Sequence, residues 1–119
     1  MATEYKEKRR HPRFACDTGV RVQPQTSNAA YWGTVGDISL GGCYVFTFSP
    51  LPVGQVVALA IKVNDKEITA AGRIVSSHPG VGMGVAFDGF PQEDAEERLR
   101  NFVTELASQP KKASMVVFH

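Results

Sequence analysis

From Phe14 to about Phe87 the chain repeats one pattern: a short run rich in β-branched and aromatic residues, then a break made of Gly, Pro, Asn or Asp. Branched and aromatic side chains fit the pleated, half-buried surface of a strand, and glycine and proline interrupt it. The runs predict strands over 15–23, 31–38, 43–48, 55–63, 67–76 and 83–87. Tyr44, Phe46 and Phe48 alternate with the two-residue period of a strand. Asn64-Asp65 offers a tight two-residue turn between the fourth and fifth runs. Six short antiparallel strands in roughly 75 residues favour a closed or nearly closed barrel, which also removes exposed sheet edges.

The pattern changes after Pro91. Ala95, Leu99, Phe102, Val103 and Leu106 recur at helical spacing, and Pro91 suits a first helical position. Glu93, Asp94, Glu96 and Glu97 fill the opening turns, where negative charge complements the helix dipole. The expected fold is therefore mainly β: a six-stranded antiparallel β-barrel with a C-terminal α-helix whose apolar stripe closes one mouth or side. The 119 residues suit one domain with a real core. Residues 1–13 are polar and aperiodic and read as a flexible arm, 14–109 as barrel plus helix, and 110–119 as a tail. The apolar end of that tail, Met115 to Phe118, reads as a frayed end or an added strand.

Charge is local, not global. The net charge is +1, which argues against a duplex nucleic-acid binder with a long basic stripe. Lys6, Lys8, Arg9, Arg10 and Arg13 nevertheless gather at one end against only Glu4 and Glu7. That distribution suits a small anionic ligand.

Two short motifs specify the chemistry further. The first is Arg9-Arg10-His11-Pro12-Arg13, an RxxxR; the second, after 23 intervening residues, is Asp37-Ile38-Ser39-Leu40-Gly41-Gly42, a DxSxxG. Guanidinium groups present planar forks of donors that match phosphate oxygens and the O6/N7 edge of guanine. An ionised Asp37 only accepts, and guanine's N1–H and N2–H2 offer two parallel donors on one edge. Ser39 can donate to a phosphate or base oxygen. Gly41 and Gly42 allow a positive φ or a close backbone approach. Alone, the first motif reads as a solvated charge run and the second as a hairpin turn.

In combination, the order and spacing of the two motifs and the Gly84-Val85-Ala86-Phe87 run, which is similar to a GVxF strand, resemble the PilZ domain family, the bacterial receptor module for cyclic di-GMP. The resemblance spans about Lys8 to about Leu106. It implies a barrel with a C-terminal helix, in agreement with the pattern above. It also implies that Arg9 and Arg13 hold guanine and phosphate with Arg10 assisting, and that Asp37, Ser39 and Gly42 form the opposing wall, with Gly41 beside them. Lys8 directly precedes RxxxR, where in this family a basic residue accompanies an intercalated pair of ligands. The implied ligand is cyclic di-GMP itself, with no cofactor, and the implied role is a receptor or adaptor signalling to a downstream protein partner that the sequence does not name.

Other classes have less support. His11, His78 and His119 are far apart and in no nucleophile motif, so the chain does not read as an enzyme. Cys16 and Cys43 lack CxxC spacing and read as reduced, partly buried thiols, not as a zinc site. Gly80 to Gly84 does not complete GxGxxG. Tyr31 and Trp32 are expected to fill the barrel or its rim; as stacking residues they would suit an OB-like binder of single-stranded nucleic acid, the third-ranked reading. The second is a PilZ-like protein-interaction module without nucleotide. With no run of about 18 apolar residues and no signal-peptide h-region, the expectation is a cytoplasmic protein without membrane insertion, monomeric or weakly dimeric.

Overall fold

The computed structural model describes residues 11–108. Six strands, β1 (Phe14–Pro24), β2 (Tyr31–Ile38), β3 (Gly42–Phe46), β4 (Val56–Val63), β5 (Lys66–His78) and β6 (Gly82–Gly89), precede one helix, α1 (Ala95–Ala107). The strands pair antiparallel in the order β1-β2-β3-β6-β5-β4, and β4 returns to β1 to close the barrel. Alternate residues point inward, among them Val20 and Val22 of β1, Val45 of β3, Leu59 and Ile61 of β4 and Val85 of β6, all essentially withdrawn from water. Each such Val, Leu or Ile side chain contributes about 1.5–3 kcal/mol on burial, so the barrel interior is the main source of stability.

The turn at Asn64-Asp65 has the form the sequence suggests. Both residues have positive φ, 48° and 71°, and Val63 pairs with Lys66 across them. Two consecutive left-handed residues match the right-handed twist of the flanking strands, and Asn and Asp tolerate that conformation.

Three expectations are corrected. β3 ends at Phe46, not at 48. Beyond it come Pro50 and Pro52, which lack the N–H that would extend a ladder. Helix α1 starts at Ala95 with Asp94 as its cap, so Pro91 lies outside it. The preceding residues form a turn instead, closed by Ala95 N–H donating to Gln92 O, while Gln92 Oε1 accepts the Thr69 N–H of β5 at 3.1 Å. Of the two places expected for Tyr31 and Trp32, the barrel interior is the one corrected: Trp32 is 72% exposed and Tyr31 40% exposed, both at the rim where β2 begins.

Ala95, Leu99 and Val103, four residues apart, form the buried stripe of α1, which packs on β1, β4 and β5. Asn64 Nδ2 donates to Glu105 Oε1 at 2.9 Å and ties the β4–β5 turn to the helix. Antiparallel order puts the start of β1, the β2–β3 turn and the end of β6 at this same end of the barrel. Among the described residues no helix is long and apolar enough to cross a membrane.

Candidate functional site

The second motif sits where β2 turns into β3. Ser39 is almost fully buried, and its hydroxyl clasps the turn. Ser39 Oγ accepts the N–H groups of Gly41 and Gly42 at 3.0 and 3.2 Å and donates to Gly42 O at 3.3 Å, while Ser39 N–H donates to the same carbonyl at 2.8 Å. The hydroxyl that the sequence offers to a ligand is thus engaged within the turn here, fixing the loop's shape.

Neither Gly41 nor Gly42 has a positive φ. Gly42 is required for close approach: a Cβ there would collide with the Val85 carbonyl of β6, opposite which β3 begins. At Gly41 the neighbour is the other motif, since a Cβ would stand 3.1 Å from Cδ2 of His11. His11, within the first motif, therefore lies against the DxSxxG turn. Arg10, Arg9 and Lys8 themselves lie outside the described residues.

Arg13 and Asp37 meet. Nη1 of Arg13 donates to Oδ1 of Asp37 at 3.5 Å, with about a third of each side chain exposed. Asp37 points outward because β2 carries a bulge: Val35 pairs with Val45 and Asp37 with Tyr44, leaving Gly36 unpaired between them. Without the extra residue the carboxylate would exchange faces with its neighbours. The fold thus joins Arg13, Asp37, Ser39, Gly41 and Gly42 at one corner of the barrel.

Beneath this corner lie the two thiols, both free. Burial pushes the Cys16 thiol up to about 12, with Asp37 and Asp17 adding to the effect. Cys43 is pushed up further by burial, then by Cys16 and Asp37, against a smaller opposing influence of Arg13. Burial thus favours the neutral thiol at both positions. Among the described residues there is no group of three or more His, Cys, Asp or Glu placed to hold a metal.

Beside the corner, between the β2–β3 turn and the start of α1, is an open pocket of about 340 Å³ lined by Leu40, Phe87 and Phe90 with Asp88, Glu93 and Glu96. Of its three carboxylates Asp88 is paired with Arg73 at 3.6 Å and Glu96 with Arg100 at 3.5 Å, so the lining offers no excess of positive charge to a phosphate. The outer face at the corner instead carries the Arg13 guanidinium beside Asp37.

On that face the sequence reading missed two side chains. Tyr44 stands directly across from Asp37, and its hydroxyl lies 3.0 Å from Nδ1 of His78. The alternation through Tyr44 and Phe46 marked the strand without showing which face was outward; the buried partners are Cys43 and Val45.

The PilZ domain profile matches residues 7–105, and the chain belongs to the PilZ domain family. Comparison with curated proteins gives no match. Among solved structures, the PilZ domain of CeSA from a cellulose-synthesizing bacterium is 19% identical with a TM-score of 0.62, over 81% of this chain and 98% of that one. The PilZ domain of Escherichia coli YcgR with c-di-GMP is 16% identical with a TM-score of 0.59, over 90% and 97%. The MrkH–c-di-GMP complex of Klebsiella pneumonia is 21% identical with a TM-score of 0.70, over 88% of this chain and 54% of that one, so the chain spans about half of MrkH. These likenesses establish the shared fold.

Proposed function

We propose that this protein is a receptor for cyclic di-GMP that acts as a ligand-dependent adaptor toward a protein partner. The observation that carries the reading is the convergence of two motifs separated by 23 residues in sequence, seen as the Arg13–Asp37 pair and the packing of His11 against Gly41. Membership of the PilZ family and the c-di-GMP complexes of YcgR and MrkH support it.

In this reading Arg13 turns from Asp37 to a phosphate or to the O6/N7 edge of guanine, and Asp37 accepts from guanine N1–H and N2–H2. Arg9 and Arg10 close over the ligand from the adjoining segment, with Lys8 adding charge. Ser39 holds Gly41 and Gly42 in the shape that admits the ligand. Closing that segment over the dinucleotide changes the surface presented to a partner, a switch driven by charge-assisted hydrogen bonds. The reaction is binding alone, and no covalent step is assigned.

Titration calorimetry with cyclic di-GMP, cyclic di-AMP and GTP tests the proposal. Binding of cyclic di-GMP in preference to the other two is the expected result. Absence of heat from a protein shown to be folded would replace it with a nucleotide-independent interaction module.

A further inference from the structure

The outer face next to Asp37 carries a feature that the two motifs do not include. Tyr44 pairs in register with Asp37, and since Cys43 and Val45 on either side are fully buried, ring and carboxylate leave the sheet on the same side. Residues directly opposite on antiparallel strands stand about 4.5–5.5 Å apart at Cα, roughly the reach of one purine.

The ring is held flat. It lies across β6 at Gly82, where an added Cβ would meet Tyr44 Cε2 at 2.6 Å. Its hydroxyl is fixed to His78 Nδ1 at 3.0 Å on β5, so Tyr44 bridges from β3 over β6 to the next strand. The two ring centroids are 6.0 Å apart and the ring planes are tilted by 33°. Phe46 buttresses Tyr44 edge-on at 5.6 Å and 70°, and is itself seated over Gly36, where a Cβ would collide with its ring. Glycine beneath each aromatic ring lets it settle against the backbone and stiffens the face. One side of the Tyr44 ring thus rests on the sheet over β6, and the other is presented outward on the same face of the sheet as the carboxylate proposed to read guanine.

We propose that Tyr44, set in place by His78 and Phe46, is a base-stacking platform for the dinucleotide, which rests on the cyclic di-GMP reading above. A carboxylate selects guanine along one edge but offers nothing to its flat faces. A fixed aromatic ring supplies that contact, and it does so for any purine because every base has a π-face. Ring contact and edge contact are then separate contributions from adjacent strands.

The test compares cyclic di-GMP affinity in the parent, Tyr44→Val and Tyr44→Phe by calorimetry, with thermal unfolding recorded for each. Valine, which keeps a strand-compatible side chain but removes the ring, is expected to weaken binding by about tenfold or more. Phenylalanine keeps the ring and loses only the bond to His78, so its affinity is expected within about threefold of the parent. In parent protein saturated with cyclic di-GMP, the Tyr44 ring-proton resonances are expected to move upfield through the ring current of the base, a readout that does not depend on a variant folding. Unmoved Tyr44 resonances, parent-like binding by the Val variant, or a Phe variant as weak as the Val one would each overturn the inference. A parent that binds no cyclic di-GMP overturns the receptor reading as well, whereas binding that is intact and indifferent to Tyr44 overturns this inference alone.

Discussion

Replacing Arg13 by alanine separates ligand chemistry from structural support, because the structure gives both sides of the balance. In the free protein the guanidinium is 3.5 Å from Asp37, a long contact with about a third of each group in water. Such a solvent-screened pair contributes about 0.2–1 kcal/mol, and binding must give it up. A charge-assisted hydrogen bond to phosphate or guanine contributes about 1.5–3 kcal/mol, so the net loss on removing Arg13 is roughly 0.5–2.8 kcal/mol. That corresponds to an affinity reduced about two- to a hundredfold, with an unfolding midpoint close to that of the parent because Arg13 precedes β1 and supports little of the core. Calorimetry with cyclic di-GMP measures the affinity and thermal unfolding the stability. Arg100→Ala is the matched control: it removes the same charge from the exposed surface of α1, where Arg100 pairs with Glu96 at 3.5 Å. Unchanged affinity in Arg13→Ala, or an equal loss in Arg100→Ala, would refute the reasoning, the second by showing that only total charge matters.

Further outcomes are expected elsewhere in the corner. Asp37→Asn keeps the size but turns one acceptor into a donor facing guanine's own donors, so calorimetry should show weaker cyclic di-GMP binding and less discrimination against cyclic di-AMP. Ser39→Ala strips the Gly41 and Gly42 N–H groups of their side-chain acceptor; it should cost about 1–3 kcal/mol, visible as a midpoint lower by several degrees. Lys8→Leu should lower the number of ligands bound at saturation from more than one towards one, because two intercalated dinucleotides bring four phosphates together and need the extra cation. For Cys16, the unfolded thiol ionises near its ordinary value of 9.0 while the folded one keeps its proton to about 12. Its contribution to stability is therefore complete below pH 9 and is lost as pH rises from there towards 12, and urea titrations across that range should slope less steeply in Cys16→Ala.

Much of the barrel was legible because strand pattern and turn chemistry agree along the chain. Asn64-Asp65 placed one hairpin correctly, and the alternation at Tyr44 and Phe46 marked a strand. Which face of that strand points outward was not legible, since both are apolar: Cys43 and Val45 pack inside while the aromatic residues cover glycines outside. Helix α1 was found from its stripe but started too early, because proline at a first helical position is a local preference and the Gln92 contact to Thr69 overrides it. The corner itself followed from motif order. Its internal arrangement did not, because the Gly36 bulge that turns Asp37 outward and the clasp around Ser39 depend on pairings with β3 that have no local signature.

Among the described residues the corner's charges already face each other, and that bears on selectivity. Arg13 and Asp37 neutralise each other, and the Ser39 hydroxyl is bonded within its turn, so a ligand must exchange contacts and cannot simply add them. On the proposed reading, a bare phosphate can draw Arg13 away but leaves Asp37 facing an anion with its own partner removed. A neutral guanine can satisfy Asp37 but gives Arg13 only its O6/N7 edge in return. A molecule carrying guanine and phosphate a short distance apart replaces both halves of the ion pair at once. The exposure that makes the pair weak makes the exchange inexpensive for such a ligand, and the proximity of the two charges makes it unfavourable for one that answers only half.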